Sequence, residues 1–404
     1  MGASSIVRPL RAVIVFGLVS AALLAVEAGR ASAAQCESWG GLPPNAGTGD
    51  NEFLGVAATS ACNAWAVGHY FNSNDNNQTL IERWNGKEWR IQRSQNPAGP
   101  LVDNSLLEVA ATSPRNAWAV GYYYDGTDDQ TLIEHWNGKA WTVQKSPNPG
   151  GSANENELAG VAATSPTNAW AVGYYHLGAT DHTLVEHWNG KKWTRQTSPA
   201  GAGSKPVNGG FLRAGPEIAL VRVAATSSSN AWAVGWRSNS TGFQTLVERW
   251  NGAAWKVQKS KDPGGSDSSD RLLGVAATSS SNAWAVGDDS KGGTSPERAL
   301  IERWNGKRWS VQPSPSGAPG EATEFDGVAA TSSTNAWVVG NYRSMTTLPP
   351  LIERWNGNAW KVQPSTNLNE GVLYGVAATS SNDAWAVGSY NDGSAQQTLA
   401  LHCC

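Results

Sequence analysis

Three features of this 404-residue sequence predict an all-β, seven-bladed β-propeller with four strands per blade. A tryptophan-rich unit recurs along the chain, each unit has room for four short strands, and no helical pattern separates the units. The phrase VAATSxxNAWAVG, or a close variant, begins at Val56, Val109, Val161, Val223, Val275, Val328 and Val376, at intervals of 53, 52, 62, 52, 53 and 48 residues. The first six copies continue into L(I/V)E(R/H)WNGxxW, from Trp84 and Trp89 in the first to Trp355 and Trp360 in the sixth. The six complete copies hold 18 of the 21 tryptophans at these positions, which makes the repeat the dominant signal.

In chain order, the first segment reads as a secretory signal. Arg8 and Arg11 give a basic start, Ala12–Val26 an apolar core too short to span a bilayer comfortably, and Ala31-Ser32-Ala33 a small-x-small cleavage site. The expected division is a leader over 1–33 and one propeller domain over 34–404. Cys36 follows Ala-Gln rather than a lipoprotein-type sequence, so a secreted, extracellular monomer without a membrane anchor is expected. The formal net charge of −3 grows more negative once the leader is removed, which argues against nucleic acid as a partner.

Within a unit, LGVAATS reads as the first strand and NAWAVGxY as the second, joined by a tight turn such as Ser60–Asn63. After a variable polar loop come the third strand, TLIERW, an Asn-Gly hairpin and the fourth, WxVQ. The small alanines of VAAT suit an innermost strand crowded at an axis, while Trp65 and Val67 share one face and fill the space between blades. The glutamate of L(I/V)E, at the same place in six units, reads as a blade-to-blade hydrogen bond or ion pair.

The seventh copy stops at Cys404 within its third strand, and CESW near the N-terminus is expected to supply the missing fourth strand. Setting Trp39 equal to Trp89 brings Cys36 to the hairpin turn, and aligning TLALHCC with TLIERWN puts Cys403 at the tryptophan position and Cys404 at the asparagine. In an exported protein a disulfide is expected between Cys36 and either Cys403 or Cys404. Cys62, in the first short turn, is a further disulfide candidate with the remaining cysteine.

Together these units resemble secreted bacterial Trp-rich seven-bladed propellers and are similar to Asp-box (BNR) and Ycf48-type propellers. The resemblance covers essentially all of 36–404. The Asp-box pattern S-x-D-x-G-x-x-W is not reproduced; the turn is S-x-x-N-A-W, with Asp383 replacing Asn in copy seven. No arginine triad of the sialidases, which share such blades, is assignable.

Function is expected on the variable loops, which all emerge on one face, while the TSxxN and WNG turns of the other face hardly change. Two constellations lie on the variable face. Tyr70, Tyr123, Tyr175, Tyr342 and Tyr390 stand two residues after the Gly of AVG, with Trp236 one place earlier in its unit. They offer either a ring of sugar-stacking surfaces or caps to the blade packing. Acids precede the first strands: Glu52, Glu157 and Glu324, with Glu217, Asp270 and Glu370 less regularly placed. Carboxylates gathered at a channel mouth could hold Ca²⁺, the one cofactor considered, or do acid–base work; the alternative is solvated acids at strand ends. No Ser/His/Asp set, zinc spacing or phosphate loop is visible, and no catalytic residue is assigned. The expectation is a non-catalytic exported protein that binds a glycan or another extracellular polymer. A polysaccharide hydrolase or lyase using the carboxylates, and an extracellular protein–protein scaffold, are the alternatives.

Overall fold

The computed structural model describes residues 43, 49–201, 216–239, 242–265, 268–291, 297–316, 322–343, 349–365 and 370–403. The chain divides into Met1–Gln35 and Cys36–Cys404, and all described residues belong to the second unit. The expected leader, the CESW strand, Cys36 and Cys404 lie outside the described residues.

The described residues form strands and no helix, in seven antiparallel sheets. The first blade is β1 (Asn51–Ser60), β2 (Asn63–Phe71), β3 (Asn77–Trp84) and β4 (Trp89–Gln92), hydrogen-bonded in that order. The second is β5 (Asn104–Ser113), β6 (Asn116–Tyr124), β7 (Asp129–Trp136) and β8 (Trp141–Val143). The third is β9 (Asn156–Ser165), β10 (Asn168–Leu177), β11 (Thr180–Trp188) and β12 (Trp193–Arg195). The fourth is β13 (Ile218–Ser227), β14 (Asn230–Ser238), β15 (Phe243–Trp250) and β16 (Trp255–Gln258). The fifth is β17 (Ser268–Ser279), β18 (Asn282–Lys291), β19 (Arg298–Trp304) and β20 (Trp309–Val311). The sixth is β21 (Ala322–Ser332), β22 (Asn335–Arg343), β23 (Pro350–Trp355) and β24 (Trp360–Val362). The seventh shows three described strands, β25 (Gly371–Ser380), β26 (Asp383–Asn391) and β27 (Gln396–Cys403). First strands touch their neighbours around the whole circuit, and β25 meets β1, which closes the ring.

The repeat is conspicuous because each of its letters has a partner. Trp118 of β6 is fully buried against the next blade, its ring 4.9 Å from Trp188 and 5.2 Å, edge-on, from Trp193. The same triad joins Trp65 to Trp136 and Trp141, and Trp385 to Trp84 and Trp89. The Arg or His before each third-strand Trp lies over the second-strand Trp of its own blade, as Arg83 over Trp65 at 4.5 Å and His135 over Trp118 at 4.0 Å. It also donates to the Asn of NAW, Arg83 Nε to Asn63 Oδ1 at 2.9 Å, while that Asn's amide donates to Thr59. Cation, ring and amide therefore specify one another. In blade seven His402 stacks on Trp385 at 3.7 Å and lies 2.7 Å from Asp383, the one Asn-to-Asp change in the motif.

The Gly of AVG is dictated by close approach. Each first strand bulges opposite it, and a Cβ on Gly68 would lie 1.9 Å from the Glu52 carbonyl oxygen. In the WNG hairpin only glycine takes positive φ, 92° at Gly86; Asn85 instead accepts backbone N–H groups of Lys87 and Glu88 at 2.9 and 3.0 Å.

Cys403 pairs with Ala384 as Trp84 pairs with Ala64, so it occupies the tryptophan position as aligned. It is completely buried and is not a free thiol; its partner lies outside the described residues. Cys62 corrects the sequence expectation: it is a free, exposed thiol. It sits in the β1–β2 turn against its own blade's hairpin, where a Cβ on Gly86 would come 3.4 Å from its sulfur, whereas Cys403 is turned into the packing between blades.

Candidate functional site

On the loop face, the start of each first strand pairs with the end of the second. The residue just after the AVG glycine is His69, Tyr122, Tyr174, Trp236, Asp288, Asn341 or Ser389, opposite Glu52, Ser105, Glu157, Ala219, Arg271, Glu324 and Val372. No two blades agree here, while the turn face hardly changes.

Two clusters form at this level. In blades two and three, the Tyr174 hydroxyl donates to Glu155 and, at 3.1 Å, to Glu157. Burial first, and then the Glu155 charge, push the Glu157 carboxyl up to about 7; Tyr174 holds its proton more firmly through burial and both glutamates. Tyr122 is likewise raised, by burial and then Glu157. Next to them His176 lies 2.8 Å from Asp181 and 3.6 Å from Glu155. In blades five and six, Arg271 lies 3.1 Å from Asp288, 3.7 Å from Glu324 and 3.8 Å from Glu297. Asp288 is almost fully buried and pushed up to about 7 by burial, against the pull of Arg271. Asp326 is also raised, by burial and by Glu324, and its Oδ2 has no hydrogen-bond partner.

Deeper along the first strands, a ring of glycines, Gly55, Gly160, Gly274, Gly327 and Gly375, is interrupted by Glu108 and Arg222. A Cβ on Gly160 would stand 2.8 Å from the Arg222 Cα, so most blades have no room there for a side chain. Arg222 reaches past blade three to Glu108, Nε to Oε2 at 2.9 Å, so this ion pair spans the inner edge of blade three from β13 to β5.

The predicted site residues fall in different places. Tyr70, Tyr123, Tyr175, Tyr342 and Tyr390 pack into the clusters between blades, the capping arrangement. Trp236 stands at the mouth position, its indole donating to the Pro216 carbonyl at 2.9 Å. Glu52, raised by burial and Asp50, belongs to the mouth, as do Glu157 and Glu324. Asp270 is buried on the tyrosine-side position, takes a hydrogen bond from Ser268 at 3.0 Å and is raised to about 6 by burial, and Glu370 is exposed. Among the described residues no group of three His, Cys, Asp or Glu side chains is placed to hold a metal ion. Sequence reading missed Tyr122, Tyr174, Arg271, Asp326 and the Glu108–Arg222 pair. The available signal was departure from the repeat one residue after AVG and at the glycine before VAAT.

Structural similarity supports the fold. The chain is similar to YCF48 bound to D1 peptide, with TM-score 0.51 and 13% identity over 90% of this chain and 99% of that one. It is similar to YCF48 from Cyanidioschyzon merolae at TM-score 0.52 and 12% identity, covering 91% and 98%. A GH74 xyloglucanase from Xanthomonas campestris matches at TM-score 0.52 and 14% identity over 89% of this chain and 55% of that one. No protein-family description and no curated protein sequence matches the chain.

Proposed function

We propose that this propeller is an exported, non-catalytic binding protein that recognises a glycan or another extracellular polymer at the mouth of the loop face. The observation that carries the reading is the contrast between a turn face repeated from blade to blade and a mouth where every blade presents different chemistry. Three aromatic residues, Tyr122, Tyr174 and Trp236, stand beside hydrogen-bonding acids and Arg271, a mixture suited to sugar rings and their hydroxyls. The similarity to known propellers concerns the fold, so the reading rests on the mouth itself.

A glycan array, run with added Ca²⁺ and with EDTA, tests it. Binding that disappears in Tyr122→Ala, Tyr174→Ala, Trp236→Ala combined, with unfolding unchanged, supports the mouth; binding indifferent to that triple change sinks it. The second reading is a polysaccharide hydrolase or lyase, favoured by Glu157, whose carboxyl near 7 beside Tyr174 suits proton transfer. Consumption of an array-positive polymer that stops in Glu157→Gln would replace the first reading with the second.

We further propose that Cys36 bonds to Cys403, joining the two chain ends at blade seven and leaving Cys62 free. Peptide mass mapping of the secreted protein without reduction tests this; a Cys36 thiol found free would end it.

A further inference from the structure

Blade three carries a groove beside its outer strand. Tyr175, His182, Thr183, Arg195, Gln196 and Ser198 line a space of about 570 Å³. Arg195 is the departure: the same place on the outer strand is Val143 in blade two and Val257 in blade four, each 44% exposed. His182 likewise stands where those blades have Gln130 and Gln244.

The three residues form one device. The Arg195 guanidinium lies over the Tyr175 ring, 4.9 Å from its centre, and donates to the Tyr175 hydroxyl at 2.5 Å. His182 stacks nearly parallel on the same tyrosine at 5.0 Å and 15°. Burial, followed by the Arg195 charge, lowers the His182 pKa, so the imidazole adds no second cation at neutral pH. With a cation and an imidazole against its ring, Tyr175 holds Arg195 in place rather than offering a bare stacking surface. Among the described residues Arg195 meets no carboxylate. The nearby Asp181 is engaged by His176 at 2.8 Å and by the Glu217 N–H at 2.6 Å. Of the guanidinium's five N–H donors, held in one plane, one is spent on the Tyr175 hydroxyl, and among the described residues none meets an anion.

We propose that this groove is a subsite for the carboxylate of an acidic sugar, taken as a two-point partner by the Arg195 fork. The planar fork matches a planar carboxylate; the Thr197 hydroxyl and the Gln196 side-chain carbonyl, whose amide N–H donates to Thr194, line the same space and suit the sugar's hydroxyls. The inference rests on the glycan reading for the polymer and adds its chemical class, a uronate-containing chain.

Calorimetric titration with short oligogalacturonates, with cello-oligosaccharides as the neutral arm and dextran sulfate as the sulfated arm, tests it. The wild-type protein is expected to prefer oligogalacturonate. Arg195→Val, which installs the side chain of the neighbouring blades and so preserves the fold, is expected to weaken that binding by about tenfold to hundredfold. Arg195→Lys should fall between them, because the charge stays and the fork is lost. Oligogalacturonate binding that Arg195→Val leaves unchanged overturns the subsite, as does a preference for dextran sulfate. Binding of the neutral sugars alone overturns the acidic class while leaving the glycan reading standing; binding of none overturns both.

Discussion

The five interfaces from blade one through blade six differ from the two that flank blade seven. At each of the five, a serine five residues past the closing tryptophan donates to the buried glutamate of the next blade: Ser94 to Glu134, Ser146 to Glu186, Ser198 to Glu248, Ser260 to Glu302 and Ser314 to Glu353. Around blade seven both halves of this bond lack a counterpart. Leu401 stands where the glutamate would be, and Ser365 donates to the Pro350 carbonyl instead. On the other flank Glu82 is fully buried and, among the described residues, neither of its oxygens is bonded; in the sequence the residue five past Trp39 is Pro44, which has no hydroxyl. The consequence is electrostatic: burial pushes Glu82 up to about 9, whereas Glu134 and Glu302, with serine donors, reach only about 7. The donor and acceptor of a blade interface are thus written on different repeats, and one is of no use without the other.

The largest test of that contrast removes the aromatic wedge. Trp118→Ala should cost about 3–5 kcal/mol in urea unfolding, because a wholly buried indole between two others leaves a cavity. Trp337→Ala should cost less, since its cluster contains Cys403 and Leu401 where other blades have Trp and Glu. Equal losses would show that blade seven packs as tightly as the rest.

Next comes the hydrogen bond itself. Ser146→Ala strips Glu186, already raised to about 8, of its side-chain donor and should cost about 1–3 kcal/mol. Ser365→Ala, with no carboxylate opposite, should change stability very little. A similar loss in both would dissolve the distinction between the interfaces.

The smallest effect is a pH dependence, and its sign follows from the raised values. Each buried glutamate holds its proton more tightly folded than unfolded, so the folded chain binds more protons between the ordinary carboxylate range and pH 7–9. Stability should therefore fall as pH rises through that window, with Glu82 alone still contributing between about 8 and 9. Glu82→Gln should leave stability near pH 5 almost unchanged and raise it at pH 8–9. No gain at alkaline pH would show that Glu82 is not held neutral in the folded chain.

Much of the fold could be read because the repeat wrote it seven times. Trp65, Val67 and the glutamate of L(I/V)E each had one place to go, and the interblade bond expected of that glutamate is what the serines provide. The site was less legible for the same reason. Attention fell on Tyr70 and Tyr123, which recur in five blades, and recurrence marks packing; the mouth holds Arg271 and Asp326, which do not recur, and Tyr174, matched only by Tyr122. Cys62 was misread because an unpaired cysteine suggests a partner, although an exposed turn offers none.

The sequence by itself determined the number of blades, the strand order and the partners within each blade, because those contacts are local or spaced by one repeat and are encoded in fixed side-chain pairs. Only the tertiary structure decided which residues meet at the axis. Glu108 and Arg222 are 114 positions apart with a whole blade between them, and nothing in their local patterns says that curvature brings them to 2.9 Å. Closing the sheets into a ring makes the innermost positions neighbours irrespective of their separation along the chain.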